Sequence, residues 1–252
     1  MSIERLSIEL TNRCSKQCNF CYNNSHPAGK TTWSPDEVVS FVLDCAKSGT
    51  KAVSFGGGEP LEYPGLFEVL QQLQGFLFRS VTSNGLQLRG ETLEQLVAAR
   101  PDKVHISIHF PERSPEVMRA IAQVRQLESR EIRSGINLLV SASNVAAAER
   151  TAQTLRESIG SDRIVYLPMR GTNEPTPKQV ANVAGGQPFQ SMSCLTTCKN
   201  SPRFCAISWD KQVAWCSYTT ARRPLQALTA SALELAIEDL PLIFCGHKNQ
   251  KN

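Results

Sequence analysis

The sequence predicts an α/β protein: a partial (β/α)6 TIM-like barrel followed by a small cysteine-rich extension that contains a β-hairpin and a helix. Three observations predict it. Over the first two thirds of the 252 residues, short β-branched or apolar runs alternate with longer amphipathic stretches, the signature of repeated βα units. Past Pro168 that alternation stops, and residues 171–193 are rich in Gly, Pro, Asn and Ser, as a connector is. Five of the nine cysteines then fall between positions 194 and 245.

The elements follow in order. Strands are expected at Arg5–Leu10, Lys51–Phe55, Phe78–Thr82, Lys103–His109, Gly135–Ser141 and Arg163–Pro168. Helices are expected near Ser34–Ser48, Pro64–Gln74, Gly90–Arg100, Ser114–Arg130 and Asn144–Ser158. Ser34-Pro35-Asp36-Glu37 offers a cap, a proline at the first helical position and two acids in the first turn, and Ser114-Pro115-Glu116 repeats the device. Parallel strands with right-handed crossovers curl toward a barrel, and six repeats stop short of the eight that close one. An open doubly wound sheet would give much the same pattern. In the last quarter, Arg203–Trp209 and Val213–Tyr218 read as two strands around the turn Asp210-Lys211-Gln212, with a helix near Thr229–Leu240. The expected division is a barrel over 1–188 and a metal-binding extension over 189–252.

Composition narrows the function classes. With 41% hydrophobic and 20% charged residues the chain is ordinary globular material. A formal net charge of +4 permits an acidic substrate but argues against a dedicated nucleic-acid binder. No run approaches the roughly 18–20 apolar residues of a membrane span, and the N-terminus lacks the apolar core of a signal peptide. A cytoplasmic protein is expected, in a compartment that keeps thiols reduced for metals.

Cys14, Cys18 and Cys21 lie in the loop after the first strand, at CxxxCxxC spacing. Three thiolates can hold three corners of a cubane iron–sulfur cluster and leave one iron open for chemistry. A structural zinc prefers four closed ligands, for which His26 could serve as the fourth. The second strand runs into Gly56-Gly57-Gly58-Glu59-Pro60, where glycines let the backbone approach a ligand closely.

The triplet, with Phe20 before its last cysteine, resembles the defining motif of the radical S-adenosylmethionine (SAM) superfamily, and Gly57-Gly58-Glu59 resembles that family's GGE motif. Ser83-Asn84-Gly85 is similar to its polar turn after the third strand. The resemblance implies a site-differentiated 4Fe–4S cluster on Cys14, Cys18 and Cys21. That cluster would cleave SAM reductively to a 5′-deoxyadenosyl radical, which abstracts a substrate hydrogen. It implies SAM contacts from Tyr22, Gly57, Gly58, Glu59, Ser83 and Asn84, with the Glu59 carboxylate meeting the methionine ammonium. On the fourth strand, alternation sets His105, Ser107 and His109 on one face and Ile106 and Ile108 on the other. Many relatives carry Ser-Ile-Asp there, so Ser107 is expected near SAM and His109 as the catalytic candidate facing a different substrate; His109 could instead be a hydrogen-bonded core or rim histidine. Asn137 is expected to reach the SAM ribose and Arg170 a carboxylate of SAM or substrate.

Cys194, Cys198, Cys205 and Cys216 are similar to the auxiliary-cluster cysteines of SPASM/twitch extensions, with Cys245 as a substitute for any of them. Lys211 and Trp215 stand where that pattern has glycine and proline, so one auxiliary 4Fe–4S cluster is expected rather than two; structural zinc uses the same thiolates. Cys45, inside an amphipathic helix, reads as a small buried hydrophobe. The leading expectation is an oxidoreductase acting on a small molecule or peptide, with a flavodoxin or ferredoxin as electron donor. RNA modification and a non-catalytic iron–sulfur or zinc protein are the alternatives.

Overall fold

The computed structural model describes residues 3–186 and 203–242, which fall into two compact units. The first holds residues 3–104 and 203–242, and the second holds residues 105–186.

Three βα repeats open the first unit: β1 (Arg5–Thr11), α1 (Pro35–Lys47), β2 (Ala52–Gly57), α2 (Leu66–Gln72), β3 (Phe78–Ser83) and α3 (Gly90–Ala99). The strands β7 (Phe204–Ile207), β8 (Gln212–Ala214) and β9 (Arg223–Pro224) and the helix α7 (Ala230–Ile237) complete it. Strand order across the unit is β3-β2-β1-β7-β8-β9. β7 runs parallel to β1, and β8 and β9 turn antiparallel. The expected hairpin is thus no separate appendix: it extends the sheet from the open edge of β1.

Alternation along β1 sorts its side chains. Leu6, Ile8 and Leu10 are buried with Val53 and Phe55 of β2 and with Phe41 and Val42 of α1. Ser7, Glu9 and Thr11 take the opposite face, level with Ser54, Gly56 and Gly57. The cap read from the sequence at α1 is present, with Ser34 and Glu37 forming a reciprocal capping box. The indole of Trp33 donates to the Ser208 carbonyl at 3.1 Å, and the Tyr63 hydroxyl donates to the Trp33 carbonyl. The first bond fastens the chain before α1 to the end of β7, and the second fastens it to the chain before α2.

β4 (Lys103–Ile108) crosses from one unit into the other. The second unit continues with α4 (Ser114–Glu128), β5 (Ser134–Val140), α5 (Val145–Ile159), β6 (Ile164–Pro168) and α6 (Pro177–Val183). β5 and β6 pair in parallel, so βα repetition holds to the sixth strand. Ser114 does not cap α4; that helix starts from Arg113, and Glu116 turns back to accept from the backbone of His109 at 2.7 Å. Inside the expected connector, α6 begins at a second capping box, Thr176 with Gln179. No helix among the described residues is long and apolar enough to cross a membrane.

Candidate active site

The β1 exit carries the cysteine loop. Cys14 is buried, and Cys18 and Cys21 are half-buried. Turn bonds shape the segment: the Cys21 amide donates to the Cys18 carbonyl and the Cys14 amide to the His26 carbonyl, each at 3.1 Å. Gln17 sits at a positive φ of 50° between them. Among the described residues no three His, Cys, Asp or Glu side chains converge on a common point, so the three thiols share one loop without closing on a centre.

The glycine run is tightly packed at two positions and open at the third. A Cβ on Gly57 would lie 2.6 Å from the Thr11 carbonyl oxygen, and one on Gly58 would lie 2.1 Å from that of Arg13. The Gly58 and Glu59 amides use this closeness to donate to those carbonyls at 2.6 and 2.8 Å. Gly57 and Gly58 therefore clamp the β2 exit onto the cysteine loop. Gly56 differs: among the described residues a Cβ there meets nothing within 4 Å, so its face is open space.

Glu59 is fully buried, and its carboxylate is committed inside the protein. It accepts from the Ser83 hydroxyl at 2.7 Å, the Asn84 amide at 2.7 Å and the Leu61 amide at 3.1 Å. Burial pushes its carboxyl up to about 7, against the pull of these donors. These three donors fill three of a carboxylate's roughly four acceptor sites and tie the β2 exit to the β3 exit. The Asn84 side-chain amide in turn donates to the Cys14 sulfur at 3.6 Å. Cysteine loop, glycine motif and Ser83-Asn84 turn are one connected hub. The donor set fits an iron–sulfur cluster: three thiols in one loop, one already taking an amide hydrogen bond of the kind that orients a metal ligand.

Sequence reasoning missed Glu62, directly beyond the glycine motif. Its Oε1 accepts from the Ser15 amide at 2.9 Å and the Ser15 hydroxyl at 2.6 Å, and its Oε2 lies 4.0 Å from the Arg13 guanidinium. It missed Glu9 as well. That residue is 1% exposed, and neither carboxylate oxygen has a hydrogen-bond partner among the described residues. Burial pushes its carboxyl up to about 7; the nearby Arg222 charge and the Ser217 and Tyr22 hydroxyls oppose the shift from beyond bonding geometry. Glu9 shares the polar face of β1 with Ser7 and Thr11, and its acid among those neutral side chains was the available signal.

Tyr22 packs its ring on Tyr218 with centroids 4.8 Å apart, and its hydroxyl end lies in the buried surroundings of Glu9. Desolvation, then the Glu9 charge, pushes that phenol well above its usual range. This placement ties Tyr22 to the segment after β8.

Cys205 leaves the expected auxiliary set. Register pairs Ala206 with Ala214 and Ile207 with Val213, which sets Cys205 opposite Trp215, not Cys216. Cys205 is level with Leu6 on the core face, fully buried, and burial pushes its thiol far up, with Cys45 of α1 adding to the shift. Cys45 is itself buried, as expected, with its thiol pushed up to about 12 by desolvation. Cys216 lies in the segment beside the other face and takes the Tyr218 amide on its sulfur at 3.3 Å. Cys194, Cys198 and Cys245 lie outside the described residues.

In the second unit Ser107 and Asn137 are buried on their strands, at 7% and 8% exposure, beside fully buried Ile106, Ile108, Ile136 and Leu138. His109 lies just past the end of β4, half-buried. The Arg170 guanidinium is buried and pairs with Glu174 at 3.3 Å.

The family model for the radical SAM superfamily matches residues 8–170, well over half of the chain. The chain belongs to the radical SAM superfamily. Membership makes SAM and a 4Fe–4S cluster the cofactors of this radical SAM enzyme. Two curated relatives are a protein named "Probable GTP 3′,8-cyclase" from Methanocella arvoryzae and a GTP 3′,8-cyclase from Aquifex aeolicus. The first is 33% identical over 111 residues, 44% of this chain and 36% of its own length. The second is 32% identical over 126 residues, 45% and 38% of the two lengths. The chain therefore spans less than half of either relative. Among solved structures, Streptococcus suis SuiB bound to S-adenosylmethionine superposes with a TM-score of 0.66 at 11% identity, covering 85% of this chain and 60% of SuiB. A tagged form of anSMEcpe with bound AdoMet gives 0.60 at 11% identity, over 94% and 80%. At such identities the likeness is one of fold, and the fold is the one the βα count predicts.

Proposed function

We propose that this radical SAM enzyme cleaves SAM reductively and uses the 5′-deoxyadenosyl radical to abstract hydrogen from a small-molecule or peptide substrate. The carrying observation is the hub that joins Cys14, Asn84, Ser83, Glu59 and the glycine clamp, because these bonds fix the cysteine loop against two neighbouring strand exits. A reduced 4Fe–4S cluster on Cys14, Cys18 and Cys21 supplies one electron to SAM when bound. The protein's own part is placement. Gly57 and Gly58 hold the loop at backbone distance, Asn84 orients the Cys14 sulfur, and Gly56 leaves room beside the strand for a ligand. Abstraction breaks one substrate C–H bond, forms the methyl C–H of 5′-deoxyadenosine and leaves a substrate radical for the later step. Ser107 and Asn137 are proposed SAM contacts, and His109 a substrate-facing group. A flavodoxin or ferredoxin is the proposed electron donor.

An auxiliary iron–sulfur centre is proposed on Cys194, Cys198 and Cys216, with Cys245 taking the place that Cys205 vacates. The test is iron content after anaerobic reconstitution, read beside 5′-deoxyadenosine formation. About eight irons per chain are expected, falling to about four in Cys216→Ala, by the four-iron stoichiometry of each cluster. Four irons in both proteins would remove the auxiliary centre and leave the primary chemistry standing. GTP belongs in the first substrate panel because of the two named relatives. Transfer of deuterium from a labelled candidate into 5′-deoxyadenosine identifies the substrate, and a panel without transfer to any member would exclude those compounds.

A further inference from the structure

The three cysteines of the loop do not share one environment. Cys14 is buried, whereas Cys18 and Cys21 are half-buried. A thiolate needs hydrogen-bond donors, and at a buried sulfur water does not supply them. Burial pushes the Cys14 thiol up, and hydrogen bonds from the Lys16 and Gln17 backbone oppose the shift. Those two donors come with the loop itself. A third comes from another strand exit: the side-chain amide of Asn84, 70 residues along the chain, donates to the Cys14 sulfur at 3.6 Å.

Asn84 is fixed for this contact. It is 5% exposed, its backbone amide donates to Glu59 at 2.7 Å, and its Oδ1 accepts from the Leu86 amide at 2.8 Å. With Oδ1 engaged there, Nδ2 is the atom turned to Cys14. The Gly85 amide donates to the Ser83 hydroxyl at 2.9 Å, and that hydroxyl donates to Glu59 at 2.7 Å, so the turn around Asn84 is held as well. The turn alone does not ask for asparagine. An aspartate accepts from the amide two residues on in the same way, and a backbone amide at any residue could bind Glu59. What asparagine adds is the Nδ2–H donor, and that donor is spent on sulfur.

We propose that Asn84 is a positioning residue whose hydrogen bond to the Cys14 sulfur raises the reduction potential of the cluster held by Cys14, Cys18 and Cys21. Reduction adds one electron, and part of the added negative charge falls on the sulfur ligands. A donor on sulfur therefore favours the reduced state over the oxidised one, and hydrogen bonds to the sulfurs are among the factors that set such potentials. Burial makes the bond count for more at Cys14, because the local dielectric is low. The electron comes from the external reductant, and no bond is made or broken in the step. Asn84 thereby eases delivery of the electron that SAM cleavage consumes. The assignment rests on the radical SAM reading for its cluster, though its readout is not SAM cleavage.

The test is the midpoint potential of the full chain, reconstituted anaerobically and measured without SAM. The protein is poised electrochemically against mediators, and the reduced fraction is read from the EPR signal that the Cys14→Ala/Cys18→Ala/Cys21→Ala variant lacks. Asn84→Asp keeps the acceptor for Leu86 and replaces the donor by a second acceptor. Asn84→Leu keeps the branching and carries neither group. At the parent's midpoint the ratio of reduced to oxidised cluster is expected to fall about threefold or more in Asn84→Leu, as one modest hydrogen bond implies. It should fall further in Asn84→Asp, where a tenfold change is about 59 mV for one electron. An unshifted potential in both variants, or a rise in either, would overturn the proposal. Loss of the cluster from both would also overturn it, as the mark of a structural brace. Formation of 5′-deoxyadenosine by the parent, measured in parallel, separates the two possible failures. A loaded, SAM-cleaving parent with unshifted variants sinks this assignment alone; a parent that holds no cluster sinks the radical SAM reading with it.

Discussion

At the residue scale the molecule keeps two carboxylates under burial and treats them differently. Glu59 spends its oxygens on Ser83, Asn84 and Leu61, while Glu9 spends none among the described residues. Both carboxyls are pushed up to about 7, mainly by desolvation. The sign for stability follows from proton counting. Between about 4.5 and 7 the folded protein holds a proton at Glu9 that the unfolded chain has released, so stability falls as pH rises through that window. Glu9→Gln should remove one group's share of the slope. That share is at most about 3 kcal/mol across the window, from 1.36 kcal/mol per pKa unit. Urea unfolding at pH 5 and pH 8 measures it, and equal slopes for parent and variant would show that Glu9 titrates normally.

At the element scale the structure turns on how strand exits meet the cysteine loop. Gly58→Ala would press a methyl to 2.1 Å from the Arg13 oxygen, a backbone atom that cannot swing away. It should cost several kcal/mol, beyond the roughly 1–3 kcal/mol of ordinary overpacking, and lower the iron retained after reconstitution. Gly56→Ala meets nothing and should fold like the parent, so melting curves of the pair separate the two roles. Glu62→Ala removes both Ser15 bonds and should speed iron loss to a chelator, whereas an unchanged rate would make Glu62 a bystander. Much of this was legible in the sequence. The βα alternation gave six strands in place, and the cysteine and glycine motifs gave the hub's membership. What could not be read was register and partner choice. Nothing local says that Cys205 faces Trp215 rather than Cys216, that Arg170 is taken by Glu174, or that Glu59 binds Ser83 and Asn84. Lys211 shows the same limit: at φ 61° it adopts the backbone a glycine would, and its ammonium pairs with Glu37 at 2.7 Å.

At the scale of the whole molecule, the late segment 203–242 belongs to the same compact unit as the first three βα repeats. β7 closes the hydrogen-bonding edge of β1, α7 takes the Asp44 carboxylate at its first amide, and Trp33 anchors to Ser208. Ending the chain after Gly186 would expose that edge, a template for pairing with other chains. The shortened protein should aggregate, by sedimentation velocity, where the full chain does not. The central claim is radical SAM chemistry at the cysteine loop, and one measurement meets it directly. Anaerobically reconstituted, dithionite-reduced protein is incubated with SAM, and 5′-deoxyadenosine is quantified beside the Cys14→Ala/Cys18→Ala/Cys21→Ala variant. The account expects product from the parent and none from the variant. A parent that fails to load a cluster or to bind SAM, or equal product from both proteins, would contradict it.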